Sequence, residues 1–344
     1  MRTALIYHDD YLKHRQLPGH PETPERLAAT MDYCVSTGLT NHVDQLTPEP
    51  ATTKDLLRVH SKEHVDYIKR LSKSGGGMID SDTYACPETY DVALLAAGGV
   101  MMAGDEVMKG NFDNAFALIR PPGHHASRNR AAGFCYFNNV AIMIRYVQEE
   151  YKIKRVLLLD WDTHASDGTT SIFYEDPTVL NISIHQDPHF FYPGSGFIEQ
   201  IGSGKGKGYT INVPVPGGTA DADYAYIFDR FVIPKATKFE PELVVISAGQ
   251  DSHRDDYISS ICLTEAGYAN MTSKLMALAK EFCNNRLVVE LEGGYNLNAL
   301  KKSNHAIVST LLGIHPSIKI KGKVRDSTLN VVENLNKVIT DLNK

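Results

Sequence analysis

The residues best suited to chemistry lie in one stretch, Asp160-Trp161-Asp162-Thr163-His164-Ala165-Ser166-Asp167, directly after the strand-like run Arg155–Leu159. Asp162 and His164 stand at i and i+2, so in extended backbone both side chains face the same way and offer a carboxylate oxygen and a ring nitrogen to one cation. A capped strand-to-helix loop, with the Asp side chains bonded to nearby amides, would use the same residue types. Asp251 is the third candidate ligand. It follows the apolar run Leu243–Ile246 through Ser247-Ala248-Gly249, small residues that let backbone reach into a crevice. Two Asp and one His suit Zn2+ with open positions, or Fe2+ or Co2+, better than Ca2+ or a thiolate-bound metal. Three protein ligands leave room for water and substrate, as hydrolytic metal sites require.

Further donors surround this group. His124-His125 follows the turn Arg120-Pro-Pro-Gly123; an adjacent His pair can be ordinary loop residues, metal ligands or a proton-transfer pair. Asp160 and Asp167 flank the metal candidates without being needed as ligands. A carboxylate on each imidazole Nδ1 would set the tautomer, raise basicity and leave Nε2 facing a water, while Asp160 also suits a cation site or a loop cap. Glu292-Gly-Gly-Tyr295-Asn296 reads as a turn with glycines at positive φ, yet a flexible Gly-Gly would also let Tyr295 swing its hydroxyl over a reacting oxygen as an oxyanion donor. Phe134, in Gly133-Phe-Cys-Tyr-Phe137, and Tyr192, in Phe190-Phe-Tyr-Pro193, are aromatics on loops. Core packing is their default; two facing rings would instead line a narrow tunnel for an aliphatic chain.

The elements that must position these groups alternate. Helix Asn139–Tyr151 precedes strand Arg155–Leu159, and strand Val179–Ile184 is followed by a Gly/Pro-rich excursion, 185–208. Strand Thr210–Val213 leads to helix Ala220–Ala236, strand Leu243–Ile246 to helix Thr264–Cys283, and strand Leu287–Leu291 to helix Leu297–Leu312; a last helix covers Ser327–Leu342. Earlier, helices are expected at Thr23–Ser36, Thr53–His60, Lys62–Ser74 and Pro87–Lys109, with a strand at Phe116–Ile119 and Ser74–Gly77 as the best linker. Strands without polar alternation, separated by helices, indicate a parallel sheet covered on both faces. Every polar cluster named above follows a strand C-terminus, where open α/β sheets bind their ligands, so clusters far apart in sequence converge on one rim.

Composition bounds the rest. The chain has 344 residues, 42% hydrophobic and 22% charged, enough for one domain spanning 1–344 with an ordinary core. A net charge of −6 gives no electrostatic footprint for nucleic acid. Five Cys without CxxC spacing fit a reducing compartment rather than a disulfide framework. The N-terminus is too short in its apolar part for a signal peptide, and no run is long enough to span a bilayer, so the expectation is a soluble cytoplasmic protein. The excursion 185–208 could cap the site or meet a second subunit in a homo-oligomer.

These residues bear a resemblance. His20-Pro-Glu-Thr-Pro-Glu-Arg26, Arg120-Pro-Pro-Gly-His-His-Ala126, Gly133-Phe-Cys-Tyr-Phe-Asn-Asn139, Asp160-x-Asp162-x-His164, Ser183-Ile-His185, Ser247-Ala-Gly-x-Asp251-x-His253 and Glu292-Gly-Gly-Tyr-Asn296 occur in the order of the zinc-dependent histone deacetylase superfamily. That superfamily includes acetylpolyamine amidohydrolases and acetoin-utilisation proteins. His185-Gln-Asp-Pro188 and Leu291-Glu-Gly-Gly-Tyr-Asn-Leu297 resemble the class II and acetylpolyamine branch. The resemblance implies an arginase-like three-layer αβα fold on a mostly parallel sheet, with Zn2+ on Asp162, His164 and Asp251. It implies that His125 is the general base and later the acid, with His124 its electrostatic partner, Asp160 orienting His124 and Asp167 orienting His125. Tyr295 would polarise the carbonyl, Phe134 and Tyr192 would form the tunnel, Gly133 would offer its carbonyl to substrate, and Arg26 would sit at the foot of the pocket. Structural K+ is implied at Asp160, Asp162, His164 and Ser183, and at Phe173, Asp176, Val179 and Tyr209.

The chain departs from the family pattern at Ala165-Ser166, where a second His and a Gly are usual, and at Gln250, where Phe or Val is usual and the pocket wall could change. The expected function is removal of an acyl group from an acylated amine, small molecule or protein lysine, by metal-activated water. An arginase-type two-metal ureohydrolase, or a non-catalytic binder of acylated ligands, are the alternatives.

Overall fold

Strands written as unbroken apolar runs must be covered on both faces, and in the computed structural model they are. The structure describes residues 1–314 and 318–341. Its strands are β1 (Thr3–Ile6), β2 (Asp44–Leu46), β3 (Gly77–Met78), β4 (Tyr84–Ala85), β5 (Asn114–Ala117), β6 (Val156–Asp160), β7 (Val179–Gln186), β8 (Thr210–Val215), β9 (Leu243–Ala248) and β10 (Leu287–Leu291). Its helices are α1 (Glu25–Ser36), α2 (Thr53–Leu56), α3 (Lys62–Lys73), α4 (Thr89–Met108), α5 (Asn139–Tyr151), α6 (Asp167–Phe173), α7 (Asp221–Ile227), α8 (Ile233–Phe239), α9 (Glu265–Phe282), α10 (Leu297–Leu311) and α11 (Asp326–Asp341).

The main sheet runs β2-β1-β5-β10-β9-β6-β7-β8, and every neighbouring pair in it is parallel. Among the strand pairs of the described residues only the small β3–β4 ribbon is antiparallel, with two isolated antiparallel bridges at Ser127–Arg130 and Ala132–Cys135. α4 and α5 pack together, α4 also meeting β1, β5 and β10, while α1, α10, α9 and α7 form the other layer. The result is the expected αβα architecture. Strand register builds the rim: Ala117, Glu290, Ser247, Asp160 and Ser183 form one row across β5, β10, β9, β6 and β7. The chain therefore leaves these central, adjacent strands along one edge of the molecule.

Where expectation and structure part, a local cause is visible. The helix expected as Ala220–Ala236 is α7, a π turn at Phe228–Val232, then α8. Pro234 lacks the amide a continuous α-helix would need, and the wider turn absorbs the break just before it. β5 begins at Asn114 rather than Phe116 because Asn114, though polar, is buried with Nδ2 donating to Leu311 O at 3.2 Å. The short β2 and α6 had no periodic signal long enough to read. Ser74–Gly77 is a tight turn between α3 and β3, not a linker: a Cβ on Gly76, at φ +93°, would lie 2.1 Å from Ala85 O. Leu342, expected to end the last helix, lies outside the described residues. No helix among the described residues is long and apolar enough to cross a membrane.

The small residues of α4 decide how close its neighbours come. At Gly98 a Cβ would lie 2.0 Å from Glu49 O and 2.8 Å from Ala51 N, so the chain at 49–51 crosses the helix in direct backbone contact. Helix propensity alone favours Gly98→Ala by about 1 kcal/mol. The clash opposes it, and overpacking of this kind costs typically about 1–3 kcal/mol. Gly98→Ala is therefore expected to lower the melting temperature; a melt at or above wild type would show that the crossing gives way.

Candidate active site

β6 ends at Asp160, and the chain then bends instead of continuing extended. His164 N–H donates to Asp162 Oδ1 at 2.8 Å, an Asx turn that brings the imidazole back over its own carboxylate. This turn, not the alternation of an extended strand, puts Asp162 and His164 on one side. Nδ1 of His164 lies 2.9 Å from Asp162 Oδ1 and 3.3 Å from Asp251 Oδ2. One ligand atom from each of Asp162, His164 and Asp251 falls within 4.8 Å of the others. Backbone amides hold the remaining oxygens: Gly293 N–H on Asp162 Oδ2 and Thr163 N–H on Asp251 Oδ1, both at 2.9 Å.

The residues present fit a divalent cation. Asp251 Oδ2 is buried with no hydrogen bond among the described residues. A Cβ on Gly249 would lie 2.1 Å from Asp162 Oδ2, and one on Gly293 2.3 Å from Asp251 Oδ2, so only glycine lets the carboxylates crowd together. Burial opposes charge on His164, yet Asp162 and Asp251 raise its pKa to about 9. Burial and the neighbouring Asp162 charge push Asp251 up to about 7. Protons thus stand where a cation would, and a cation would displace them.

His124 and His125 are held by different carboxylates. His124 Nδ1 lies 3.0 Å from Asp160 Oδ2, and His125 Nδ1 lies 2.6 Å from Asp167 Oδ1. Burial disfavours charge on His124, but Asp162, Glu292 and Asp160 together hold its pKa well above the usual imidazole value. Burial, and then the charge on His124, pull His125 down to about 4 against the opposing pull of Asp167. The surroundings thus push the two rings in opposite directions, His124 toward the charged form and His125 toward the neutral one, and the contact of His125 Nδ1 with Asp167 favours the tautomer that leaves Nε2 as a lone pair. The loop carrying them is fixed from below: Asn138 caps α5 while its Nδ2 donates to Ala126 O and Thr169 Oγ1, each at 3.0 Å. Asn139 Nδ2 reaches Pro121 O at 3.2 Å, and Thr169 N–H donates to His124 O at 3.0 Å.

Tyr295 is 8% exposed, and no group among the described residues hydrogen-bonds its hydroxyl. The expected swing of the Gly-Gly segment does not fit: the polar backbone atoms around Tyr295 are tied down. Arg26 Nε donates to Gly294 O at 2.7 Å and Nη2 to Glu292 O at 2.5 Å, with the guanidinium 5.1 Å from the Tyr295 ring. Of the tunnel candidates, Phe134 meets Tyr295 edge-on at 6.1 Å and Tyr192 meets His125 at 5.0 Å, so each borders one of the candidate catalytic side chains. Gly133 has φ +54°, and a Cβ there would lie 2.4 Å from His125 Cδ2; its carbonyl accepts from the Cys135 thiol at 3.3 Å.

The departures acquire explanations. Gln250 does not form a pocket wall: it is fully buried, with Nε2 donating to Asn304 Oδ1 at 2.8 Å and to Ala248 O at 3.1 Å. Ala165 makes room for the excursion after β7, because a Cβ on Gly196 would lie 2.6 Å from Ala165 Cβ and 2.5 Å from His185 Nε2. The Ser166 hydroxyl is buried without a partner, and nothing in the structure explains it. Of the potassium candidates, Asp160 and Ser183 are neighbours in register, next to the turn of Asp162 and His164. Phe173, Asp176, Val179 and Tyr209 gather where β7 and β8 begin; Asp176 N–H bonds Phe173 O at 3.0 Å and Asn181 N–H bonds Tyr209 O at 2.8 Å.

Three groups were missed in the sequence. Phe191 stacks flat on His164, rings 4.8 Å apart and 7° from parallel, a contact that its place beside Tyr192 in the Phe190–Pro193 run does not reveal. Glu22 takes both arms of Arg120 at 2.8 Å and Arg26 Nη1 at 3.1 Å, all fully buried; the one available signal was the i, i+4 spacing of Glu22 and Arg26. Asp256 receives the Tyr295 and Asn296 amides at 2.6 and 2.8 Å, with no signal at all.

Known proteins share both the sequence and the fold. A family model described as the histone deacetylase domain matches residues 20–311. The chain is 46% identical over 316 residues to a probable deacetylase of Archaeoglobus fulgidus, covering 91% of this chain and 87% of that one. It is 37% identical over 305 residues to a histone deacetylase-like amidohydrolase of Pseudomonas aeruginosa, covering 88% and 79% respectively. The crystal structure of the HDA15 HD domain superposes with a TM-score of 0.93 at 35% identity, over 99% of this chain and 97% of that chain.

The protonated cluster makes metal uptake pH-dependent with a definite sign. Between the ordinary imidazole value of 6.5 and about 9, His164 must release a proton for Nδ1 to bind a cation. Affinity for Zn2+ should therefore rise with pH across that window, by up to roughly tenfold per unit for each proton released. Competition with a calibrated chelator measures it, and a flat profile would contradict the assignment.

Proposed function

The chain belongs to the histone deacetylase family, and on that premise we propose that it removes an acyl group, chiefly acetyl, from an N-acylated amine such as acetyllysine or an acetylpolyamine. One observation carries this reading: Asp162, His164 and Asp251, the two carboxylates buried and the imidazole partly exposed, group at metal-ligand distance beside His125, whose Nδ1 is committed to Asp167. Zn2+ is the ion proposed, with Fe2+ or Co2+ as substitutes; bound by those three residues it would supply Lewis-acid polarisation of the carbonyl and of the attacking water. His125 Nε2 takes the proton of that water and later returns it to the leaving amine. His124, its Nδ1 3.0 Å from Asp160 Oδ2, is the electrostatic partner of His125 at the reacting centre. The Tyr295 hydroxyl, which has no protein acceptor to give up, donates to the oxyanion.

The remaining roles follow the same reading. Phe134 and Tyr192 enclose the aliphatic stem of the substrate, Gly133 offers its carbonyl, and Arg26 forms the floor beneath Tyr295. The two potassium sets are proposed as structural, and residues 1–344 as one catalytic domain. A reducing, cytoplasmic setting is supported by five free cysteines. A single catalytic ion is favoured over a two-metal ureohydrolase because, among the described residues, only Asp162, His164 and Asp251 group at metal-ligand distance.

Acetate release is the deciding assay, run over acetylpolyamines, acetyllysine peptides and short-chain acyl analogues. Turnover of at least one class is expected, lost on chelation and restored by Zn2+; no release from any would leave a ligand-binding protein instead. Tyr295→Phe should keep its metal and lose about 10²–10³-fold in kcat, the usual cost of one oxyanion donor.

A further inference from the structure

The oxyanion donor proposed above is a side chain, and the base it rotates about, its Cα–Cβ bond, is aimed by the peptide planes on either side of it. Each peptide unit is planar, so fixing the amide before residue 295 and the amide after it fixes φ and ψ of Tyr295 and the direction of its Cα–Cβ bond. Both amides go to one atom. Tyr295 N–H donates to Asp256 Oδ2 at 2.6 Å and Asn296 N–H to the same oxygen at 2.8 Å. Asp256 is 5% exposed, and its other oxygen accepts from Ile258 N–H at 3.1 Å, which holds the carboxylate against rotation. Asn296 Nδ2 adds a bond to Asp255 O at 2.8 Å.

We propose that Asp256 is a positioning residue for the Tyr295 hydroxyl, a clamp that holds the oxyanion donor in register with the Asp251 loop. This rests on the role of Tyr295 proposed above. Asp256 lies five residues beyond Asp251 on the same loop, so the stretch that carries the candidate ligand Asp251 also grips the backbone of the donor across the gap between the two loops. Charge assistance strengthens both bonds over ordinary amide contacts. Cushioning the start of α10 is not what the carboxylate is needed for. Asn296 already caps that helix, its Oδ1 accepting from Asn298 N–H at 3.1 Å and Ala299 N–H at 3.0 Å.

The test is a pair of variants with a double-mutant cycle. Asp256→Ala should lower kcat about 10–100-fold, the scale of a misplacement near 1 Å, with KM and metal content close to wild type. Asp256→Asn keeps the shape and one acceptor oxygen and should lose less. If the clamp acts only through the phenol, Asp256→Ala placed on Tyr295→Phe costs no more than about twofold further. A kcat unchanged in Asp256→Ala, or losses that multiply in full, would overturn the proposal. Position is also read without turnover, by 19F NMR of 3-fluorotyrosine placed at 295 in otherwise unlabelled enzyme. One narrow resonance is expected in wild type and a shifted or multiple set in Asp256→Asn; identical spectra would overturn the clamp. Should Tyr295→Phe prove fully active, the chemical role of Tyr295 falls while this spectrum still decides the clamp, and it also serves if Asp256→Ala does not fold.

Discussion

Carboxylates sunk into the centre of a parallel sheet keep their charge only if something answers it, and the whole rim is shaped by that demand. Asp160, Asp162, Asp251, Glu290 and Glu292 are all at most 1% exposed. Removing one such charge from water costs several kcal/mol even after the protein relaxes. The answers are mostly backbone. Amides of Asp162, His164, Gly293 and Thr163 point at the Asp side chains, and Gly123 N–H at 2.8 Å, with the more distant His124 N–H, at Glu292. Glu290 is answered differently: burial and the adjacent Glu292 push its pKa well above the usual range, so it keeps its proton. What amides leave unbalanced falls on His124, whose pKa these acids raise, and the charge that favours on His124 in turn lowers the pKa of His125. A ring with a free lone pair is thus a consequence of the buried acids around it.

The sheet was largely legible because its signal is local. Val156-Leu-Leu-Leu-Asp160 and Leu287-Val-Val-Glu-Leu291 lack polar alternation, and a polar cluster after each apolar run marks a strand C-terminus. That rule is enough to assemble the rim from sequence. It does not reach the Asx turn at Asp162–His164, since the sequence of a strand end and that of a turn just beyond it are the same residues. Asp256 sits in Arg254-Asp255-Asp256, indistinguishable from a solvated acidic loop, and its partners are 39 and 40 residues away. Gln250 shows the same limit: its type is visible, but its direction is set by Asn304, 54 residues on.

Two departures from the family pattern, Ala165 and Gln250, have packing explanations. Ala165 sits where the excursion after β7 folds back, with Gly196 against it and His185 bonded to Ser183 Oγ at 2.8 Å and Gly196 O at 2.9 Å. A bulky side chain at 165 would hold that loop off. Gln250 turns inward and joins a chain of hydrogen bonds through Asn304 Nδ2 to Thr30 Oγ1 at 3.2 Å and from Thr30 to Arg26 O at 3.0 Å. The turn carrying Asp251 and the helix carrying Arg26 are thereby spliced together beneath the pocket.

Arg26 also sets an order of events. Its guanidinium serves carbonyls 268 and 266 residues later in the chain, while Glu22, which holds it, is gripped by Arg120 from the middle. During synthesis the N-terminal helix leaves the ribosome long before Gly294 exists, so a cation destined for a sealed interior waits in water for its partners. Contacts this distant in sequence carry a large loop-closure cost, which a high contact order translates into slower folding. The seam around Arg26 joins the two ends of the fold, and a chain truncated before β10 would carry Asp162, His164 and Asp251 without the Glu292 and Gly294 carbonyls that Arg26 holds.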